Sequence, residues 1–213
     1  DFCALADGGE GPAEPFCEGA GGAWIPVAAH DALGRALPCR YAWLAATRRA
    51  VMEMSAAAGL AQLAPNERDP MRASTFGVGE MLRAAADHGA AQIIIGLGGS
   101  ATNDGGFGLA RALGFRFLGE DGRELASAVS ELLKLVRIAT LDSRRFPSGS
   151  AACAVRDTLP GPAGPPHTSG QHREPTTHQP EPLDPHAAPH REPPPTHTAP
   201  AHPTTPGPRN AAP

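Results

Sequence analysis

Residues 93–108 read IIIGLGGSATNDGGFG, and no other stretch constrains the fold as tightly. Three β-branched isoleucines have the length and shape of a buried strand. Six glycines follow within the same stretch. Such a loop lets its backbone approach other groups closely and turn through positive φ. The flanks complete a unit. Upstream, Val78, Met81, Leu82 and Ala85 recur at helical spacing, with Ser74, Thr75 and Gly77 as N-cap candidates, Glu80 in the first turn and Gly89 at C′. Downstream, FGLARALG (107–114) reads as a helix that Gly114 ends. Helix, buried strand, glycine loop and helix form an α/β pattern with at least one parallel strand.

The preceding residues predict a short helix over 12–20 and three strands, AWIPVAA (23–29), CRYAWLA (39–45) and RRAVMEMS (48–55). Their tight connections suggest an antiparallel meander. DGGEG (7–11) and HDALGR (30–35) read as turns, and 59–69 as loop. After the second helix come a short strand and a Gly122 turn in FRFLGEDGREL, then an amphipathic helix in SAVSELLKLV (127–136).

The end of the chain is a different text. Eighteen of the 24 prolines lie at or beyond Pro147, and seven of the nine histidines at or beyond His167. From Pro165 onward Leu183 is the one large aliphatic residue, and there is no aromatic. Too little apolar surface exists there to offset the entropy of ordering, so 165–213 reads as a disordered tail. Two origins fit it: a genuine polyproline-like extension, or a reading-frame shift in a GC-rich gene, which is the favoured expectation. The irregular tail histidines do not have metal-site spacing.

A net charge of −4 gives no nucleic-acid footprint. No apolar run approaches a membrane span. Cys3, Cys17, Cys39 and Cys153 have no C-x-x-C spacing, which fits a reducing, cytoplasmic setting. The chain starts at Asp1 without Met, so the lack of a visible leader carries little weight. No protein partner is evident, although REPPPTH (191–197) is the one stretch that a Pro-binding groove could take.

Several chemistries compete for the glycine loop. Gly96-x-Gly98-x-x-Ala101 matches the looser dinucleotide fingerprint, with Glu120 or Asp121 near the ribose position, but a turn sequence stands where the helix should open. Gly98-x-Ser100-x-Thr102 falls one glycine short of a nucleophile elbow, and outside the tail the histidines are His30 and His88. A P-loop is excluded because the loop has no lysine. There remain successive glycine N–H groups that can bind an anion, the hydroxyls of Ser100 and Thr102, and the Asp104 carboxylate as proton acceptor or Mg²⁺ ligand. Anion donors beside a carboxylate suit phosphoryl transfer, while the plain alternative is a βα loop with a polar cap.

The order of five motifs goes further. IIIGLGGSATNDGGFGLARALGFRF (93–117), ADGGEG (6–11), DALGR (31–35, with Ala32 in place of the family's proline), AVMEMSAAAGL (50–60) and RDPMRASTFGVGEML (68–82) resemble the glycerate kinase family. The resemblance runs from Asp1 to about Gly164. Its last piece, CAVRDTLPGPAG (153–164), is degraded, with Ala154, Asp157 and Thr158 replacing family residues. The family's opening strand, its serine–phenylalanine–lysine–glycine loop and its later glutamine–lysine–glycine–alanine motif are absent, so about half of a member is expected, and its activity alone is in question.

What the resemblance implies is a partial two-domain α/β fold with a mixed sheet over 1–164. The activity implied is ATP- and Mg²⁺-dependent phosphorylation of D-glycerate. By the same carry-over, Gly98, Gly99, Ser100, Thr102, Asn103, Gly105 and Gly106 line the site, and Asp7, Gly8, Gly9 and Glu10 form a second wall. Asp104 or Asp7 is the base or metal-side carboxylate, with Asp104 the Mg²⁺ candidate. Glu53 and Thr75 are second-tier candidates; their plain readings are a strand-end charge and a helix N-cap. A dinucleotide-binding oxidoreductase fragment and a non-catalytic module with a Pro-rich tail stand as alternatives.

Overall fold

The computed structural model describes residues 11, 13–140 and 146–152. Its centre is a five-stranded mixed sheet. Strands β1 (Ala23–His30), β2 (Ala36–Leu44) and β3 (Arg49–Glu53) run antiparallel in chain order, as the meander predicts. Strand β4 (Gln92–Gly96) pairs parallel with β3, Ala50 opposite Ile93 and Glu53 opposite Gly96. Beyond β4, and parallel to it, lies a strand over Ser148–Ala152. Between them in sequence, strands β5 (Phe115–Leu118) and β6 (Arg137–Thr140) form a separate antiparallel pair, so the strand at 148–152 is β7.

Period-two alternation gives the sheet two buried faces. On one face Cys39, Tyr41, Ala50, Met52 and Ile93 meet Val78, Met81 and Ala85 of helix α3 (Phe76–Asp87) and Ala57 and Ala58 of helix α2 (Ser55–Ala58). On the other, Ala42, Leu44 and Val51 meet Ala13 and Cys17 of helix α1 (Ala13–Gly19). Met52 and Met81 are wholly buried, and truncating either to Ala costs about 2–5 kcal/mol. Helix α4 (Phe107–Ala112) opens a third core, where Phe107 meets Phe117 edge to face at 4.6 Å, above Leu125, Val129 and Leu132.

Helices α3 and α4 touch through glycine. A Cβ on Gly79 would lie 2.5 Å from the Leu109 carbonyl oxygen, and one on Gly108 would lie 2.1 Å from Ser74 Oγ. Two local expectations change. The amphipathic stretch 127–136 is a 3₁₀ segment over Val129–Lys134 and not an α-helix. A three-residue repeat buries Val129 and Leu132 while Leu133 and Val136 stay 58% and 62% exposed. Glu80 sits past the first turn of α3, where its carboxylate holds the His30 backbone N–H at 2.9 Å and His30 Nδ1 at 3.0 Å. Among the described residues no helix is long and apolar enough to cross a membrane.

Candidate functional site

In open α/β sheets, ligands bind beyond the carboxyl ends of parallel strands. Here the ends of β3 and β4 lie side by side, and the loop 97–106 leaves from that edge. Its first turn has Gly98 and Gly99 at the centre, with Gly99 at φ 68. Backbone bonds clamp it to the segment after α2. Leu60 N–H donates to the Gly99 oxygen and Ala101 N–H to the Ala58 oxygen, both at 2.8 Å, and Gly59 bridges Ser100. The second turn spans Asp104–Phe107. Its central Gly105 and Gly106 have φ 57 and 81, the type I′ signature that favours glycine.

Between the turns the chain is largely buried, Ala101 included. Ser100, Thr102 and Asp104 are buried, whereas Gly99 and Gly105 are exposed and Asn103 is half-buried. Ser100 Oγ and Thr102 Oγ1 lie 2.7 Å apart, and Thr102 N–H donates to Ser100 Oγ at 3.1 Å. Asp104, 2% exposed, is more heavily engaged. Its Oδ2 accepts from Thr75 N–H (2.9 Å), Thr75 Oγ1–H (2.8 Å) and Gly108 N–H (3.0 Å), and its Oδ1 accepts from Gly106 N–H (3.1 Å).

A carboxylate has about four acceptor positions, and internal donors take that many here. Three of these donors converge on Oδ2, and Oδ1 receives one. Among the described residues no group of three or more His, Cys, Asp or Glu side chains converges to hold a metal ion. The exposed surface of the loop is backbone at Gly99 and Gly105, with Gly98 and Asn103 half-buried beside it.

The second-tier residues also have structural partners. Glu53 ends β3, and its Oε1 accepts the Ala13 backbone N–H at 3.0 Å, fixing the start of α1 at this edge. Thr75 occupies the N-cap position of α3, but its hydroxyl makes no cap bond. It donates to Asp104 and accepts from Leu109 N–H at 2.9 Å, while Ser74 Oγ accepts from Phe76 N–H at 3.2 Å. Asp7, Gly8, Gly9 and Glu10 lie outside the described residues; Gly11, which closes their motif, has φ 98.

Neighbouring groups support the loop from below. Ala101 packs with Ala32, Leu63 and Ala73. Asp31 accepts from Leu33 N–H and Arg35 N–H, both at 2.9 Å, and from the Arg35 guanidinium at 2.5 Å. Burial alone would raise its pKa, but the Arg35 and Leu33 donors outweigh that and hold the carboxyl below its ordinary value. Arg35 reaches on to Glu67 at 2.7 Å. Sequence reasoning missed this bridge, for which the signal was the DALGR turn itself. Burial pushes the Cys39 thiol up to about 11, and its Sγ donates to the Ala56 oxygen, so it is an inert core group.

The competing readings lose ground on the same geometry. Ala101, the third fingerprint position, is buried in a side cluster, and the helix opens six residues later at Phe107. A pyrophosphate needs that helix start inside the fingerprint. Ser100 Oγ is engaged by Thr102, His30 faces Glu80 and His88 packs against Trp43, so the nucleophile elbow has no base among the described residues.

Comparison with known proteins agrees with the motif order. The glycerate kinase family matches residues 1–187. A glycerate kinase of Bacillus subtilis (strain 168) is 39% identical over 163 residues, 75% of this chain and 43% of that protein. A glycerate 2-kinase of Escherichia coli (strain K12) is 36% identical over 163 residues, with the same shares. The fold is similar to a crystal structure carrying the name glycerate kinase 2, from Salmonella typhimurium LT2, with a TM-score of 0.80 and 38% identity over 86% of this chain and 50% of that one. The chain thus spans less than half the length of these curated relatives.

Proposed function

The chain belongs to the glycerate kinase family, and on that premise we propose that it carries the glycerate-facing side of an ATP-dependent kinase, which converts D-glycerate to phosphoglycerate in the cytoplasm. The observation that carries this reading is the division of the 97–106 loop. Its acidic and hydroxyl side chains are engaged inside the protein, and its glycine backbone is exposed at Gly99 and Gly105, at the carboxyl edge of β3 and β4. An anionic, hydroxylated substrate asks for such donors, because phosphoryl transfer depends on positioning and charge stabilisation.

In this reading the amides of Gly98, Gly99 and Gly105 bind the glycerate carboxylate or phosphate oxygens, with Asn103 as the neighbouring side-chain contact. Gly106 gives the turn its shape, and Ser100 and Thr102 hold the segment between the turns. ATP, when bound, supplies the phosphoryl group. Asp7 is the proposed base toward the reacting hydroxyl, with Gly8, Gly9 and Glu10 as the facing wall. Support comes from Glu53, which holds Ala13, and so the chain just after that motif, at the same edge. Asp104 remains the Mg²⁺ candidate of this reading, and no step is routed through the ion.

The test is an amide NMR titration of the chain with D-glycerate and, separately, with ATP. Glycerate should shift the Gly98, Gly99, Asn103 and Gly105 signals before others, and Asn103→Ala should weaken binding by about tenfold. Shifts confined to regions away from this loop, or no shift at millimolar glycerate, would sink the assignment.

A further inference from the structure

Helix α4 begins at a glycine that offers no capping side chain, yet its first amides are satisfied from elsewhere. Gly108 N–H goes to Asp104 and Leu109 N–H to Thr75 Oγ1, a hydroxyl that starts a different helix. The same hydroxyl donates to Asp104 Oδ2, which also takes Thr75's own N–H. Thr75 is 2% exposed and Asp104 equally so, and neither faces the outer surface of the loop. One threonine thus fixes α3, α4 and the turn between Asn103 and Phe107 against one another.

We infer that Thr75 is the positioning residue of the glycine loop, acting through Asp104 to set where the outward backbone amides lie. This rests on the proposal that the loop faces glycerate. A cap confined to its own helix would bond Phe76, Gly77 or Val78 N–H, whereas this hydroxyl bonds the next helix and the loop. The oxygen donates one bond and accepts another, so serine can replace it and valine, of nearly the same shape, cannot.

Hydrogen exchange on Thr75→Val and Thr75→Ser separates the two ideas. With valine, exchange at Gly106, Gly108 and Leu109 should speed up by about tenfold or more, while amides of β1 and β2 keep wild-type rates. With serine, protection should return to within about threefold of wild type. Glycerate titration of the same proteins should show weaker binding with valine and recovery with serine. If the wild-type chain binds no glycerate, the functional reading falls while the exchange comparison still decides the positioning role. Equal exchange in valine variant and wild type, equal loss in both variants, or uniform acceleration through β1 and β2 would each overturn the inference.

Discussion

Gly79→Ala sets two known effects against each other within α3. Helix propensity alone favours alanine by about 1 kcal/mol. The structure opposes it, because the new Cβ would lie 2.5 Å from the Leu109 oxygen, 2.6 Å from Ala112 Cβ and 3.0 Å from Leu109 Cα. Comfortable carbon contacts need about 3.5–4.0 Å, so α4 must retreat by about 1 Å. The obstacle is backbone and a methyl group, neither of which can swing aside. Overpacking of this kind costs about 1–3 kcal/mol, and retreat also stretches the Asp104 and Thr75 bonds that seat α4. The clash therefore wins, with a net loss of about 1–2 kcal/mol and a melting temperature lower by roughly 2–8 °C. Thermal unfolding by circular dichroism reads this directly, with exposed Arg83→Ala in the same helix as the control, expected within about 0.5 kcal/mol of wild type. A Gly79→Ala protein as stable as wild type, or more so, would refute the close approach of α3 and α4.

Three further outcomes follow from buried polar groups. Asp104→Ala strands four donors and should destabilise by about 3–5 kcal/mol in urea unfolding, with Asp104→Asn intermediate. Asp31→Asn should cost about 1–3 kcal/mol at pH 7, and the gap should close with acid. The folded Asp31 pKa is depressed, so its contribution is present above the unfolded value near 3.9 and is lost as pH falls through the folded one; unfolding curves at pH 7 and pH 2 check this. Tyr41 is wholly buried, with no hydrogen-bond partner for its hydroxyl among the described residues, so Tyr41→Phe should leave the melting temperature unchanged or raise it.

The parts of this fold that were legible in the sequence rest on local rules. Ile93–Ile95 carried β4, alternation carried β1 to β3, and helical spacing carried α3. Strands β6 and β7 were missed because RIAT and SGSAA carry little alternation; their partners in β5 and β4 define them. The segment 127–136 misled because apolar residues at three- and four-residue spacings fit both helix types, and burial of Val129 and Leu132 decided for the tighter one. In the site, glycine spacing located both turns, and nothing local showed which way the polar side chains point. In the sequence Asp104 is an acid among glycines. Its donors at Thr75 come from 29 residues away, beyond what local pattern reports.

The join between the antiparallel and parallel halves of the sheet also orders events in time. His30 and Ala36 pair across a five-residue connection, whereas Arg49 and Gln92 pair across 43 positions. Loop-closure entropy alone makes the second contact costlier by roughly 2 kcal/mol, and Gln92 to Ser148 is a longer closure again. The β1–β2–β3 ribbon can therefore form while the residues of β4 are still unpaired. The Gly59–Ser100 bridge and the Asp104 bonds to Thr75 must wait until α3 has carried the chain back across the sheet. The glycine loop is thus among the late structures of folding, and slow refolding phases should be read first in its amides.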